Sequence, residues 1–268
     1  EPAMKRAWIV RSVCLVAMLG LWHGASCARA AEEKKPAAEA GKPFLKANPD
    51  VVAKWRELKF GLFVHWGPVS LTGQEIGWSR GGPRRGHRSK ANPRGTPVEV
   101  YDNLYKKFNP VKFDAAEWVR MAKDAGMRYM VFTTKHHDGF SMFDSKLTDY
   151  KITNPESPYG KDVVRQLADA CHEGGLWWGC YYSPPDWHHP DYRNGDRHPK
   201  YVEFLHGQIR EILSNYGRVD IMWFDGLGGK AGDWDSEPLF KMIRDLQPEI
   251  IINNRAGLPG DYDTPEQH

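Results

Sequence analysis

The sequence predicts an α/β fold of the (β/α)8, or TIM, barrel type. Strand-like and helix-like segments follow one another five times from about residue 57 onward. Each strand-like segment is nearly all apolar, which is typical of parallel strands buried on both faces. Polar or aromatic side chains end nearly every one of these segments, and a barrel gathers such strand ends on a single rim.

Five strands are predicted in order along the chain. They lie in residues 58–67, 127–140, 176–187, 219–226 and 249–255, with apolar cores that read GLFV, YMVF, LWWGC, IMWF and III. The fourth ends on Asp225, followed by Gly226. An Asp-Gly pair commonly forms a turn, whereas a carboxylate at the end of a barrel strand would face the mouth of the barrel, where such folds hold their chemistry.

Four helices are predicted between these strands. Segment 114–126 begins with a capping Asp and ends with Gly, and segment 160–175 has the same signals. Segment 236–248 is the fourth of the helices along the chain. The third, residues 199–217, has its apolar side chains on one face: Tyr201, Phe204, Leu205, Ile209, Ile212 and Leu213.

A doubly wound open sheet also alternates strands and helices. The nucleotide-binding form of that fold carries a glycine-rich phosphate loop after its first strand, and no such loop follows residue 67. We therefore favour the barrel. A barrel needs eight strands, so we expect this one to be incomplete at its C terminus in the present sequence.

The N-terminal residues resemble a secretory signal peptide. Two basic residues follow Met4, an apolar stretch comes next, and Ala28-x-Ala30 supplies a cleavage site before Ala31. We therefore assign residues 1–30 to a signal peptide, 31–48 to a flexible Ala/Lys/Glu/Pro linker and 49–268 to the barrel domain. The protein is expected to be secreted or periplasmic, without stable membrane insertion. Lipoprotein anchoring at Cys27 is the alternative.

Charge and cysteine content limit the classes of partner. A net charge of +3 is too small to indicate nucleic-acid binding. The basic cluster from Ser79 to Gly95 is interpreted as a solvated loop, and a rim that attracts anionic substrates is the alternative. After cleavage only Cys171 and Cys180 remain, for which buried thiols are favoured over a single bridge.

The candidate site residues favour one reaction class. No Ser lies in a G-x-S-x-G elbow, and H-x-x-x-H and Cys pairs at metal-ligand spacing are missing. Adjacent histidines such as His136 and His137 should face opposite ways on a strand, so no metal or other cofactor is expected. Two carboxylates on separate loops of one rim, Asp225 and Glu266, satisfy the requirement of glycoside hydrolysis. The 11 Trp residues also suit a sugar site.

Four motifs in order, FGLFVHWG, TTKHHDGF, YYSPPDW and MWFDG, resemble the α-L-fucosidases of glycoside hydrolase family 29. The resemblance runs from about Trp55 to the last residue. It implies a retaining exo-hydrolase with a (β/α)8-like catalytic barrel, a C-terminal β-sandwich beyond this sequence and a fucosylated glycan as substrate. Residues 49–268 would then be a partial catalytic domain.

The resemblance also implies roles for individual residues. Asp225 is the expected nucleophile and Glu266, in DTPEQ, the expected acid/base, with their carboxyl groups about 5 Å apart. The other side chains expected to bind the sugar are His65, Trp78, His136, His137, Tyr182, Trp223 and Arg255. The Glu-Trp pair common in the family is altered to QEIGW, so Trp78 aligns while Glu75 lies two residues too early.

Two further functions stay open at this point. One is another exo-glycosidase on the same barrel, for example for a galacto-configured sugar. The other is a carbohydrate-binding protein without catalysis, including an inactive fragment.

Overall fold

A computed structural model describes residues 42–82 and 95–265. Its sheet has five parallel strands in sequential order: β1 Gly61–Val64, β2 Tyr129–Lys135, β3 Trp177–Tyr182, β4 Ile221–Phe224 and β5 Ile251–Ile252. Sequential order distinguishes a barrel from a doubly wound sheet, in which the order reverses at a switch point. The predicted (β/α)8-like barrel is therefore confirmed, with five of its strands in the described residues.

The helices between the strands include the four that the sequence predicts, which span Ala115–Asp124, Val163–Gly174, His198–Asn215 and Ser236–Leu246. The described α-helices are α1 Pro49–Leu58, α2 Val98–Tyr101, α3 Ala115–Asp124, α4 Val163–Gly174, α5 His198–Asn215, α6 Ala231–Trp234 and α7 Ser236–Leu246. Asp114 caps α3 by accepting a hydrogen bond from the amide of Glu117, and Asp162 caps α4 in the same way. Capping satisfies amides that have no partner inside the helix.

Side-chain alternation divides the sheet into two faces. On the outer face, Met130, Trp178, Cys180 and Phe224 are fully buried in the main core with the helices. On the inner face, a smaller cluster forms, and its buried members are Ala47, Val51, Val131, Tyr181, Ile221 and Ile251. Successive residues of one strand therefore have different surroundings.

The N-terminal side of the domain begins earlier than the sequence indicates. Within the predicted linker, Pro43–Leu45 form a 3-10 helix, and Leu45 and Ala47 are buried. The amide of Ala47 also donates to the carboxylate of Asp261 at 2.6 Å. Residues 42–48 are therefore a packed part of the domain, because their apolar side chains bury against it.

The predicted signal peptide, with Cys14 and Cys27, lies outside the described residues. Within 42–82 and 95–265, no helix has the length and apolar character required to cross a membrane. Cys171 and Cys180 are both free and buried, as the favoured interpretation of the sequence predicted. Burial raises the pKa of the Cys171 thiol to about 12, so this thiol stays protonated at neutral pH.

Candidate active site

Residues at the carboxyl ends of β1, β3, β4 and β5 line one pocket, and the end of β2 lies beside it. His65 follows β1, His136 and His137 follow β2, Asp225 follows β4 and Arg255 follows β5. The pocket has a volume of about 490 Å³, within the usual range for small-molecule sites. Its aromatic walls are formed by Trp55, Phe63, Tyr181, Trp223 and Tyr262.

Asp225 lies at the centre of the polar side of this pocket. The hydroxyl of Tyr181 donates to its Oδ2 at 2.7 Å, and Nη2 of Arg255 lies 2.9 Å from its Oδ1. Nε2 of His137 lies 3.4 Å from Oδ2. The Asp-Gly pair is therefore not a simple turn. A Cβ on Gly226 would lie 2.1 Å from the carbonyl oxygen of Arg255, so only glycine allows this approach.

These contacts keep Asp225 ionised. Burial by itself raises the pKa of a carboxyl group, but His137, Arg255 and Tyr181 together outweigh burial and lower the pKa of Asp225 to about 2. The side chain of Asp225 is nevertheless only 12% exposed. The site thus holds a desolvated anion, which is a condition that suits a nucleophile.

The two adjacent histidines both reach the site, contrary to the expectation that they would face opposite ways. Strand β2 ends at Lys135, and its register with β3 shifts between Thr133 and Lys135. His136 and His137 therefore lie in the turn after the strand, where alternation no longer applies. Their ring centroids are 4.2 Å apart, and the ring of His136 stacks on Tyr181 at 5.5 Å.

The sequence-based assignment of Tyr182 to the pocket is wrong, and Tyr181 occupies the position instead. The side chain of Tyr182 is on the outer face of β3, where its hydroxyl donates to Oε1 of Gln208 at 2.7 Å. Tyr181 points inward and pairs in register with Trp223. Either tyrosine of the YYS motif could line the pocket. Which one does depends on the face of the sheet to which each side chain points, and the sequence does not specify this.

His65 and Trp223 lie where the resemblance implies. Both line the pocket, and the ring of His65 lies 5.0 Å from that of Tyr181. Burial lowers the pKa of His65, partly offset by the charge of Asp225. Trp223 packs against Phe63 with tilted rings whose centroids are 4.8 Å apart. Phe63 also lines the pocket, although the sequence did not single it out.

Trp78 also reaches the site, whereas Glu75 does not. The ring of Trp78 lies 5.2 Å from that of His137 and 5.5 Å from that of Trp187. Glu75 is exposed, and it is not among the described residues that line the pocket. Trp187 belongs to the PPDW motif but was not predicted to be a site residue. It is buried, and it positions Trp78 against the histidines.

A buried ion pair holds the loop that carries Trp187. Nζ of Lys135 lies 3.2 Å from Oδ2 of Asp186, and both side chains are almost fully buried. Oδ1 of Asp186 accepts the amides of His188 and His189 at 3.0 and 2.8 Å. Burial raises the pKa of Asp186, but Lys135, His188 and His189 together outweigh burial, so the carboxyl pKa lies below its usual value.

The basic cluster from Ser79 to Gly95 is only partly described. Its residue Arg80 is buried and donates through Nε and Nη2 to both oxygens of Asp102, each at 2.7 Å. Arg80 is therefore a structural cation and does not face a substrate. Residues 83–94 lie outside the described part of the chain.

The predicted acid/base Glu266 also lies outside the described residues, so its distance to Asp225 stays a prediction. The three residues before it, 263–265, line the pocket together with Tyr262. The loop after β5 therefore lines the site as far as Pro265, the residue that precedes Glu266 in the sequence.

Three side chains lie close enough together to bind one metal ion. Ligand atoms of His136, His137 and Asp225 all lie within 4.8 Å of one another. The guanidinium of Arg255 contacts the same carboxylate and places a positive charge beside it, which opposes a second cation. The donor set fits the binding of a polyhydroxylated ligand better, because it offers imidazole, carboxylate and guanidinium groups around an aromatic pocket.

Comparisons with known proteins agree on one family. A family model described as α-L-fucosidase matches residues 27–268. The chain is 34% identical over 219 residues to α-L-fucosidase 1 of Arabidopsis thaliana, covering 80% of this chain and 38% of that protein. It is 28% identical over 229 residues to the tissue α-L-fucosidase of Homo sapiens, covering 80% of this chain and 48% of that protein. The chain thus spans less than half the length of these relatives.

Solved structures give the same result. The α-L-fucosidase isoenzyme 1 of Paenibacillus thiaminolyticus is 40% identical with a TM-score of 0.71, covering 81% of this chain and 55% of that one. The α-L-fucosidase AlfC of Lactobacillus casei, solved with α-L-fucose, is 33% identical with a TM-score of 0.65, covering 78% and 71%. An aspartate-to-alanine mutant of AlfC was solved with Fucα(1,6)GlcNAc.

Proposed function

Because this chain belongs to the α-L-fucosidase family, we propose that the full-length protein is a secreted, retaining exo-α-L-fucosidase. It would release terminal α-L-fucose from glycans through a covalent fucosyl-enzyme intermediate. The observation that carries the proposal is Asp225, a buried carboxylate held ionised at the mouth of the barrel by Arg255 and Tyr181.

The proposed reaction is a double displacement. In the first step the carboxylate of Asp225 attacks the anomeric carbon, and the bond to the leaving oxygen breaks while an acid protonates that oxygen. In the second step water attacks the same carbon, the bond to Asp225 breaks and the acid, now a base, takes the proton of the water. We assign this acid/base role to Glu266, which follows the pocket-lining residues 263–265.

A terminal fucosyl unit on a glycan is the proposed substrate. Support comes from AlfC, whose aspartate-to-alanine mutant was solved with 4-nitrophenyl α-L-fucopyranoside and with Fucα(1,6)GlcNAc. In this chain, His65, His136 and His137 offer hydrogen-bonding groups for sugar hydroxyls, and Trp223 offers an aromatic wall. Secretion is proposed from the signal-peptide pattern of residues 1–30.

A mechanism-based label tests the nucleophile and the sugar together. We expect a 2-fluoro fucoside with a good leaving group to inactivate the full-length protein and to label the peptide that contains Asp225, as detected by mass spectrometry. A panel of aryl glycosides then separates the alternatives. Faster turnover of a galactoside would favour another exo-glycosidase, and fucose binding without any turnover would favour a carbohydrate-binding protein.

Exchanging each tyrosine of the YYS motif for phenylalanine separates their roles. We expect Tyr181→Phe to lower kcat/KM for an aryl α-fucoside about 10- to 100-fold, because a hydrogen bond to a charged group contributes roughly 1.5–3 kcal/mol. Tyr182→Phe is the matched control on the other face of β3. It should leave kcat/KM unchanged and lower the free energy of unfolding by about 1 kcal/mol. The reverse pattern in the two variants would contradict the placement of Tyr181 in the site.

A further inference from the structure

The residue after β3, Ser183, is placed to control the proton of His137. Its side chain is fully buried, and Oγ lies 2.5 Å from Nδ1 of His137. The same Oγ donates to the carbonyl oxygen of Pro185 at 2.6 Å. A carbonyl oxygen can only accept, so the single hydroxyl proton of Ser183 is directed to Pro185.

This leaves a lone pair of Oγ facing His137. Two acceptors at 2.5 Å would repel each other, so the proton in this contact must come from Nδ1 of the imidazole. In neutral imidazole only one nitrogen carries a proton. Nε2 of His137 is then an acceptor, and this buried atom makes no hydrogen bond to any of the described residues.

Nε2 is the atom of His137 that faces the proposed nucleophile, at 3.4 Å from Oδ2 of Asp225. A neutral ring with its proton on Nδ1 does not donate to that carboxylate. In this tautomer Arg255 and Tyr181 hold Asp225 as an anion, and His137 adds to this only when its ring is protonated. The free lone pair of Nε2 can instead accept a hydroxyl proton of a bound sugar that lies beside Asp225.

We propose that Ser183 is a positioning residue that fixes the proton of neutral His137 on Nδ1, so that Nε2 faces the sugar as a hydrogen-bond acceptor. The effect of Ser183 on catalysis rests on the proposed fucosidase function. The position of the proton on His137 does not depend on that function. The hydrogen-bond partner of one ring nitrogen commonly decides which nitrogen of a histidine is protonated.

The charged and titratable groups around His137 come from the ends of β1, β2, β4 and β5. They are His65 after β1, Lys135 and His136 on its own segment, Asp225 after β4 and Arg255 after β5. Burial lowers the pKa of His137, and only Asp225 raises it. When the ring is protonated, Nε2–H donates to Asp225 and competes with the sugar, so activity should fall as the pH drops through the pKa of His137.

Nitrogen NMR of the histidine side chains in the full-length protein tests the proton position directly. We expect His137, assigned by its loss in His137→Gln, to show the Nδ1–H tautomer near neutral pH. In Ser183→Ala, Nδ1–H has no acceptor, and the proton should move to Nε2 and donate to Asp225. Ser157→Ala is the matched control, since Ser157 is buried and its Oγ has no hydrogen-bond partner within the described residues; it should leave the tautomer unchanged.

Kinetics of the same variants test the consequence. Ser183→Ala should lower kcat/KM about 10-fold or more, with the acid limb of its pH profile shifted to lower pH, because imidazolium then lacks one of its two acceptors. Ser183→Thr, which keeps the hydroxyl, should restore the tautomer and most of the rate. A His137 that carries its proton on Nε2 in the unsubstituted protein would overturn the proposal. A protein without fucosidase activity but with the expected tautomers would overturn only the proposed function.

Discussion

Replacing Asp225 by alanine is expected to lower kcat/KM for 4-nitrophenyl α-L-fucoside by about 10⁴-fold, or roughly 5.5 kcal/mol of transition-state stabilisation. The reason is that the substitution removes the carboxylate on which the proposed covalent intermediate forms. Arg255 and Tyr181 would remain and present their donors to an empty position. The measurement is steady-state release of 4-nitrophenol by the full-length protein.

Azide gives the variant a second readout. The alanine leaves space for a small anion on the face that Asp225 occupies, so added azide should restore part of the turnover. Attack from that face inverts the anomeric centre, and the product should be β-fucosyl azide. This product distinguishes the loss of a nucleophile from a damaged fold.

Asp220→Asn provides the control within the same strand-forming segment. Asp220 precedes β4, at the opposite end from Asp225, where it accepts the amide of Trp178 and pairs with Arg218. The substitution should reduce stability but leave kcat/KM unchanged. A loss of less than about tenfold in Asp225→Ala would remove Asp225 from the nucleophile role, since that role is incompatible with so small an effect.

Replacing Lys135 by methionine is expected to lower the free energy of unfolding by about 3–5 kcal/mol. The substitution retains most of the side-chain volume but leaves the carboxylate of Asp186 buried without its counter-charge. Nζ of Lys135 also lies 4.6 Å above the ring of Tyr182, so a cation–π contact is lost as well. Urea unfolding of the full-length protein, followed by tryptophan fluorescence, measures the change.

The pH dependence of this pair has a definite sign. The pKa of Asp186 is lowered in the folded protein, so its contribution to stability is present above the pKa of the unfolded chain, about 3.9. The contribution is lost as the pH falls through the lower, folded pKa. The difference in unfolding free energy between the parent protein and Lys135→Met should therefore shrink in acid.

Lys241→Met is the matched control for the buried pair. Lys241 pairs with Asp245 on α7 at 2.9 Å, but both side chains are about two-thirds exposed. The expected change is about 0.5 kcal/mol or less, as for other exposed pairs one helical turn apart. Equal effects of the two substitutions would show that the Lys135–Asp186 pair does not hold the loop.

The loop with Trp187 connects this stability to the site. The amide of Trp187 donates to the carbonyl of His137 at 2.7 Å, and its ring packs against that histidine. Loss of the ion pair should therefore also lower kcat/KM, because it would displace the rings of Trp187 and Trp78 that pack against His137. Lys241→Met should leave kcat/KM unchanged.

Several features could be predicted from the sequence alone: the repeating order of strands and helices, the caps of α3 and α4, and the strand ends on which Asp225 and the histidines lie. These features are local, since they follow from hydrophobic runs, capping residues and short motifs. Three other features required the folded chain: His136 and His137 converge, Tyr181 rather than Tyr182 faces Asp225, and residues 42–48 pack on the domain. The physical reason is that strand register, the direction of each side chain across a sheet and the burial of a terminal segment depend on contacts between residues far apart in the chain.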